Sequence, residues 1–567
     1  MAGKGPGAAA TAIDAVDVVV VGAGLAGLVA TCELLAAGRS VAVLDQESTA
    51  HLGGQAWWSF GGLFLVDSPE QRRMGIADSV ELAWSDWQGS AGFDRLENDR
   101  DQDYWGQRWA KAYVEWAAGE KRTWLRTRGI SFFPVVGWAE RGDGDAHGHG
   151  NSVPRFHVAW GTGPGIVAPF ERRVRAGVAN GHVRLLGRHK VRELVVTSGT
   201  VSGVRGDILA TDEAVRGAAS SRSVVGDFEI TAQAVIVASG GIGGNHHLVR
   251  QFWPRRLGSP PQDMLTGVPA YVDGSMLSVA GAADARIVNR DRMWHYTEGL
   301  ANHSPVWAGH GIRVLAGPSG LWVDATGARL PSPYYPGFDT LGTLEYLRHS
   351  GYDHSWMVLT NTILGKEWTL SGSEQNPDLT GRSVPAVIGR VRSDLPAPVR
   401  AFLTAGVDLV SGNSVAELVS QMNAVTPSPL VDRQRLQATI SARDAQLDNP
   451  FGKDAQIAAI RGAREYRGDR LVRTAKLHRF LDRNHGPLIA ARLRVVTRKS
   501  LGGLQTDLRA RVRSADNSPI PGLYAAGEIA GFGGGGVHGY RSLEGTFLGG
   551  CLYTGRSAGR AVAQDTA

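Results

Sequence analysis

Val16 to Val21 is a short β-branched run closed by Gly22, the pattern of a strand buried on both faces. Leu25 to Ala37 follows as a helix stopped by Gly38, and Val41 to Leu44 as a second strand ending at Asp45. The chain thus opens on a strand–helix–strand unit. Trp105, Trp109, Ala112, Tyr113 and Trp116 recur at helical spacing and predict a helix that turns an aromatic stripe into a core. A substrate-lining role for one of those rings is the alternative. Short β-like stretches come next, at Val191–Val196, Val201–Val204, Phe228–Ile230 and Ala234–Ala238, the last running into Gly240-Gly241. From about residue 290 to 490 the pattern changes, with more Pro, Ser, Asp and Arg and helical periods such as Val431–Leu447. This middle stretch reads as an inserted domain. From Ser500 the Gly-, Val- and Ala-rich character returns and ends in a helix near Thr546–Ala563.

Composition narrows the class. The 567 residues suggest two to four domains or one large domain with an insertion. A hydrophobic share of 43% with 20% charged residues excludes a largely disordered chain. Two cysteines cannot form a disulfide framework, which favours a reducing compartment. The net charge of +6 is spread along the chain without a basic block, so no nucleic-acid partner is expected. The uncharged run between Asp17 and Glu33 falls short of the ~20 residues that span a bilayer. It follows an acidic residue where a secretory signal would be basic. Met1 to Ala15 reads as a frayed terminus, and the expectation is a soluble, cytoplasmic protein with no integral membrane segment. The 75 glycines are nearly twice the usual ~7%. They denote either flexible linkers or many close backbone approaches.

Gly22-Ala23-Gly24-Leu25-Ala26-Gly27 is G-x-G-x-x-G between the first strand and its helix, and Asp45 ends the second strand. The first glycine permits the tight turn, the second lets backbone approach a pyrophosphate, and the third allows helix–strand packing. The helix N-terminus offers free N–H groups to phosphate, and the acid suits a ribose hydroxyl. A dinucleotide site follows. At the far end, Pro521-Gly522-Leu523-Tyr524-Ala525-Ala526-Gly527-Glu528 reads as a strand ending in Gly-Glu, ahead of the glycines of 531–539 and the last helix. It resembles the second cofactor segment of FAD-dependent oxidoreductases.

With Gly53-Gly54, Ser59 to Gly62, the Ala-Ser-Gly-Gly turn at 238–241, Asn245, Asp273-Gly274, Trp322 to Arg329 and Gly502-Gly503, the chain resembles the fumarate reductase/succinate dehydrogenase flavoprotein superfamily. Its nearest likeness is to the 3-ketosteroid dehydrogenase branch. The resemblance implies an α/β fold, a Rossmann-type FAD-binding domain with an inserted α+β cap domain: FAD-binding residues 16–290 and 491–567, cap residues 291–490. It implies cofactor contacts from Gly22, Gly24, Leu25, Ala26, Gly27, Asp45, Gln46, Gly53, Gly54, Gln55, Ser59, Gly61 and Gly62. Val191, Ser239, Gly240, Asn245, Gly527, Glu528, Ser542 and Leu543 complete the set. The glycines at 241, 502, 503 and 533–536 fall in the same segments, which favours close approach to FAD over linkers. Covalent flavin attachment in the family uses a His at the position of Gln55, so FAD is expected to be non-covalent.

Departures from the family pattern point to the substrate. Where the fumarate-reducing branch has a carboxylate-binding Arg, this chain has Ser542, in His538-Gly539-Tyr540-Arg541-Ser542-Leu543-Glu544. Its proton-donating Arg is also missing from Leu330-Pro331-Ser332-Pro333-Tyr334-Tyr335-Pro336-Gly337. A dicarboxylate needs fixed guanidinium forks. The resemblance therefore implies oxidation or reduction of a carbon–carbon bond beside a ketone, in a steroid-like apolar substrate. The catalytic candidates are Tyr540 or Ser542 as base and Tyr335 or Tyr334 as the other half; the alternative is that these hydroxyls only satisfy backbone groups. Arg541, Arg498 and Lys499 leave room for a fumarate-reductase-like enzyme for an unsaturated acid. A non-catalytic flavin-binding redox partner is the third reading. The electron acceptor is a partner of unknown identity.

Other features read as structural. His147 and His149 lie in a Gly/Asp-rich loop without a completing ligand set, so no metal is expected. Arg172-Arg173-Val174-Arg175 reads as a solvated face, and Arg155 with His157 resembles a polar pair near the active-site side in relatives.

Overall fold

A computed structural model describes residues 11–145, 148–392 and 395–566. The first strand is Thr11–Val21, the helix Leu25–Ala36 and the second strand Val41–Asp45. The strand takes in Thr11 to Ala15, which sequence reading left as frayed: Thr11 pairs with Phe228 and Ile13 with Ile230. Residues 1–10 lie outside the described residues.

Both ends of the chain build one eight-stranded sheet, in the order Arg511–Arg513, Pro519–Ala525, Val224–Val237, Thr11–Val21, Val41–Asp45, Val183–Gly187. His189–Thr197 and Thr200–Leu209 extend it through Val224–Val237. The first strand is parallel to both neighbours, Val18 opposite Val41 and Val20 opposite Ile236. Its Val18, Val19 and Val20 are fully buried, as expected where helices cover both faces of a parallel sheet. Phe228–Ile230 and Ala234–Ala238, read separately in the sequence, are one strand, because pairing with Thr11–Val21 runs through the polar residues between them.

The middle of the chain builds a second eight-stranded sheet around Leu488–Ser500. That strand pairs with Met293–Ala301, His354–Thr360, Leu409–Gly412 and, in parallel, Met264–Thr266. The second sheet thus includes a strand from before residue 291, and its central strand ends past residue 490. The Val431–Leu447 pattern is the helix Arg433–Ala445.

The helix Tyr104–Ala118 buries Trp109, Tyr113 and Trp116 in the core, so the aromatic stripe is packing. The last helix, Thr546–Asp565, lies against Leu25–Ala36. A Cβ on Gly555 would stand 2.4 Å from the Ala26 carbonyl oxygen and one on Gly559 2.6 Å from that of Ala30. Those two glycines set the helix spacing. Gly502, Gly503 and Gly533 to Gly536 likewise meet protein: a Cβ on Gly502 would lie 2.0 Å from the Asn289 carbonyl oxygen, and one on Gly534 2.4 Å from the Trp105 backbone. Part of the glycine excess is thus close packing of backbone on backbone.

Candidate active site

One cavity runs from the end of the first sheet to the second sheet. Its near end is lined by Gly22, Gly24, Leu25 and Ala26 at the helix N-terminus, Asp45 and Gln46 beyond the second strand, and Val191. Asp45 receives the Ala23 and Glu47 N–H groups at 2.8 Å each. Burial pushes its carboxyl above the usual range. A Cβ on Gly24 would meet nothing nearer than 3.9 Å, and one on Gly240 nothing nearer than 3.5 Å, so neither backbone is tightly packed by protein on its cavity side. Gln46 Oε1 is buried without a hydrogen-bond partner among the described residues. A bare backbone cradle, an orphaned acceptor and a helix N-terminus fit a dinucleotide.

Midway, Gly53, Gly54, Gln55, Ser59, Gly61 and Gly62 face Ser239, Gly240, Gly527 and Glu528. Glu528 accepts from Gln55 Nε2 at 2.7 Å and from the Ser500 N–H at 3.0 Å. Burial raises its carboxyl. Four expected cofactor residues stand off the lining. Gly27 packs against the turn, where a Cβ would be 2.0 Å from the Gly22 oxygen. Asn245 caps a helix through the Leu248 N–H at 3.2 Å. Ser542 and Leu543 are buried behind Glu544 and Gly545, which take the lining positions.

The far end is formed by Tyr296, Arg313, Ser371, Arg498, Lys499 and Glu544. Arg313 Nη1 donates to Glu544 Oε1 at 2.8 Å, and the same oxygen accepts from Trp294 Nε1 at 3.0 Å. The Arg313 guanidinium also lies 3.7 Å from the Tyr296 ring centroid. Burial works against ionisation of Glu544, but Arg313 and Lys499 outweigh it and hold the carboxyl below its ordinary value. Burial also opposes the Arg313 charge, yet Glu544 and Tyr296 hold that pKa above the usual arginine value. Burial, with Glu544 beside it, keeps the Tyr296 phenol well above its ordinary value. Lys499 Nζ sits 4.3 Å from the Phe547 ring centroid and 5.7 Å from that of Tyr296. Burial, with Arg498 adjacent, pushes its amine down to about 8.

The four hydroxyls expected to be catalytic stand elsewhere. Tyr540 fills the space above Gly92, with the Arg256 guanidinium 3.6 Å from its ring centroid. Ser542 Oγ donates to the Leu543 carbonyl at 3.2 Å. Tyr335 is buried edge-on to Phe338, and Tyr334 packs on Tyr346. None lines the cofactor cavity, because the loops that carry them are fixed by their own packing. Tyr296, Arg313 and Glu544 have no motif that announces them; of the far end, the sequence offers only Lys499 and Arg498 as candidate anion-binding cations.

Arg155 and His157 are also structural. Arg155 is buried between Asp78 and Asp86, and His157 Nε2 lies 2.7 Å from Ser68 Oγ. His147 lies outside the described residues. His149 is buried with Nε2 3.3 Å from Glu140 and 4.0 Å from Asp339. Asp339 is engaged by Arg541 at 2.7 Å and by the Gly342 N–H at 2.8 Å. Arg172, Arg173 and Arg175 are exposed. Cys32 and Cys551 are both free. No helix among the described residues is long and apolar enough to cross a membrane.

The model of the FAD binding domain matches residues 17–548. The chain belongs to this family of FAD-dependent oxidoreductases. It is 60% identical to a KsdD-like steroid dehydrogenase of Mycolicibacterium smegmatis over 551 residues, 97% of this chain and 99% of the relative. It is 58% identical to one from Mycobacterium tuberculosis over 550 residues, 97% of this chain and 96% of the relative. Among solved structures, the 3-ketosteroid Δ1-dehydrogenase of Sterolibacterium denitrificans aligns with a TM-score of 0.65 at 16% identity, covering 98% of this chain and all of that one. A flavocytochrome c3 fumarate reductase aligns at 0.62 and 21% identity, covering 98% of this chain and 79% of that one. These two share the fold.

Proposed function

We propose that the protein oxidises a CH–CH bond beside the ketone of a steroid-like substrate, with FAD held non-covalently. The observation that carries this reading is the cluster of Arg313, Tyr296 and Lys499 at the far end of the cavity that begins at the phosphate-binding glycines. The relatives called KsdD-like steroid dehydrogenases support it.

A C–H next to a carbonyl becomes acidic when donors take up the charge that develops on oxygen. Arg313 and Tyr296 are such donors: the first keeps its charge and the second its proton, for the reasons above. Glu544 holds Arg313 in place, and Arg313 packs on the Tyr296 ring. Lys499 is the base, since an amine near 8 is partly free at neutral pH. It takes the α-proton, and the β-carbon gives up hydride. Bound FAD supplies the hydride acceptor. Gln55, at the position of the family's attachment residue, offers an amide engaged with Glu528 and no nucleophile.

The test is anaerobic mixing of the FAD-loaded protein with 4-androstene-3,17-dione. Bleaching of the flavin is expected. Bleaching by no ketosteroid, with reoxidation of the reduced protein by fumarate-type acids, would instead support the unsaturated-acid alternative, for which Arg498 and Lys499 would be the anion-binding groups.

A further inference from the structure

A second cavity, of about 660 Å³, adjoins the first. Phe60, Phe156 and Leu315 line both. Its size is that of a small-molecule pocket. It lies between the 133–158 segment and the inserted domain, and neither the cofactor cradle nor the reacting end uses it.

The path into it follows the strand Gly311–Leu315. Arg313 and Leu315 are two residues apart on that strand and so project to the same side. Arg313 serves the reacting end, Leu315 forms the boundary, and the Leu315 carbonyl accepts from Arg473 at 3.1 Å. On the opposite wall, Phe156 and Val158 alternate with His157 in the same way, so the strand Phe156–Val158 turns its apolar side to the second cavity.

Two characters meet in the lining. One part is apolar: Phe133, Trp138, Val158, Trp368 and Leu379. The other carries Lys366, Arg390, Arg473 and Arg483 against one carboxylate, Asp378. Asp378 is taken up by Arg390 at 2.9 Å. Arg473 is bonded to carbonyl and hydroxyl oxygens at 2.9 to 3.4 Å, not to a carboxylate. Arg483 is exposed and has no side-chain hydrogen bond or ion pair among the described residues. The surplus is cationic, and guanidinium groups recognise carboxylates well.

Resting on the reading of the reaction given above, we propose that this chamber holds the far end of the substrate, and that this end is an apolar side chain ending in a carboxylate. The substrate class is thus a ketosteroid acid. The ketone lies at Arg313 and Tyr296, the ring system passes Phe60, Phe156 and Leu315, and the acid reaches the cationic wall.

The test compares three compounds on the FAD-loaded protein: 3-oxochol-4-en-24-oic acid, its methyl ester and 4-androstene-3,17-dione. The acid is expected to have a KM about ten-fold or more below both others, the factor of one charge-assisted contact. Arg483→Glu should lower the preference for acid over ester by about ten-fold, and Arg483→Lys should restore most of it. Leu379→Trp, which fills the chamber, should raise KM for the acid more than for androstenedione. Equal KM values for acid and ester, unchanged by Arg483→Glu, would overturn the proposal while leaving the ketosteroid reaction in place. Calorimetric binding of the acid is read separately from turnover. Binding that weakens in Arg483→Glu, without flavin bleaching by any steroid, would keep the chamber and remove the reaction. No binding of the acid would overturn the chamber.

Discussion

Arg313 and Glu544, 231 residues apart, meet at 2.8 Å where the inserted sheet touches the start of the last helix. Both are buried, and each is the other's counter-charge. Removing one partner strands the other, which typically costs about 3–5 kcal/mol. Glu544→Gln and Arg313→Met are each expected to destabilise the protein by that order. The double variant should cost less than the sum of the two. Denaturant unfolding of the FAD-loaded protein measures this, and strict additivity would refute the coupling.

The proposed role of Lys499 as base fixes a pH dependence. Its amine, near 8 when folded, must be free to take a proton, so the rate of flavin reduction should rise through about pH 8 and level off above it. Lys499→Met should lower that rate by about 10²- to 10⁴-fold, the usual worth of a general base, and remove the inflection. The same shift has a sign for stability. The unfolded amine titrates at its ordinary 10.5, so between about 8 and 10.5 the unfolded chain binds more protons and stability rises with pH. Lys499→Met should flatten that slope in denaturation curves.

Two tyrosines separate two placements of the chemistry. Tyr296→Phe removes a donor from the cavity and should slow flavin reduction by about 10²- to 10³-fold, as loss of such donors does. Tyr540→Phe removes a hydroxyl from a ring packed on Gly92 and Arg256 and should change the rate by no more than a few fold. Stopped-flow bleaching of the flavin distinguishes them. The reverse pattern would return the base to the segment before the last helix.

The last helix depends on its small residues. In Gly555→Leu the new Cβ would stand 2.4 Å from the Ala26 carbonyl oxygen, forcing apart the helix whose N-terminus lines the cavity. Loss of bound flavin and a fall in melting temperature are expected, since overpacking of this kind costs about 1–3 kcal/mol or more. Flavin absorbance per protein on the purified variant is the check.

Gln55 bears on the mode of attachment. Acid precipitation should release all flavin into the supernatant. Colour retained in the pellet would show a covalent bond and refute the role given to this amide.

Local pattern alone carried the sequence reading a long way. The β-branched run at Val16–Val21 and the helical periods located the core of the first strand, Leu25–Ala36, Val41–Asp45 and Thr546–Asp565; the Thr11–Ala15 end of the first strand comes from pairing with Phe228–Ile230 and lacks such a run. The turn at Gly22–Gly27 and the Gly527-Glu528 strand end were legible for a different reason. A phosphate approached by backbone requires glycine at fixed spacing, and that requirement is written in consecutive residues.

The far end of the cavity was not legible in this way. Tyr296, Arg313, Lys499 and Glu544 come from three distant segments, and none is marked by its neighbours. Met293–Ala301, which carries Tyr296, pairs with both Leu488–Ser500, which carries Lys499, and Gly311–Leu315, which carries Arg313; Glu544 joins them through its ion pair with Arg313. The Tyr334-Tyr335 loop and Tyr540 could be read as residues but not placed, since packing against Tyr346, Phe338, Gly92 and Arg256 turned them away. The parallel sheet and the glycine turns at its end are thus written in consecutive residues. Which polar groups line the far end of the cavity rests on long-range strand pairing, because side-chain direction on a strand depends on register and no run of adjacent residues encodes it.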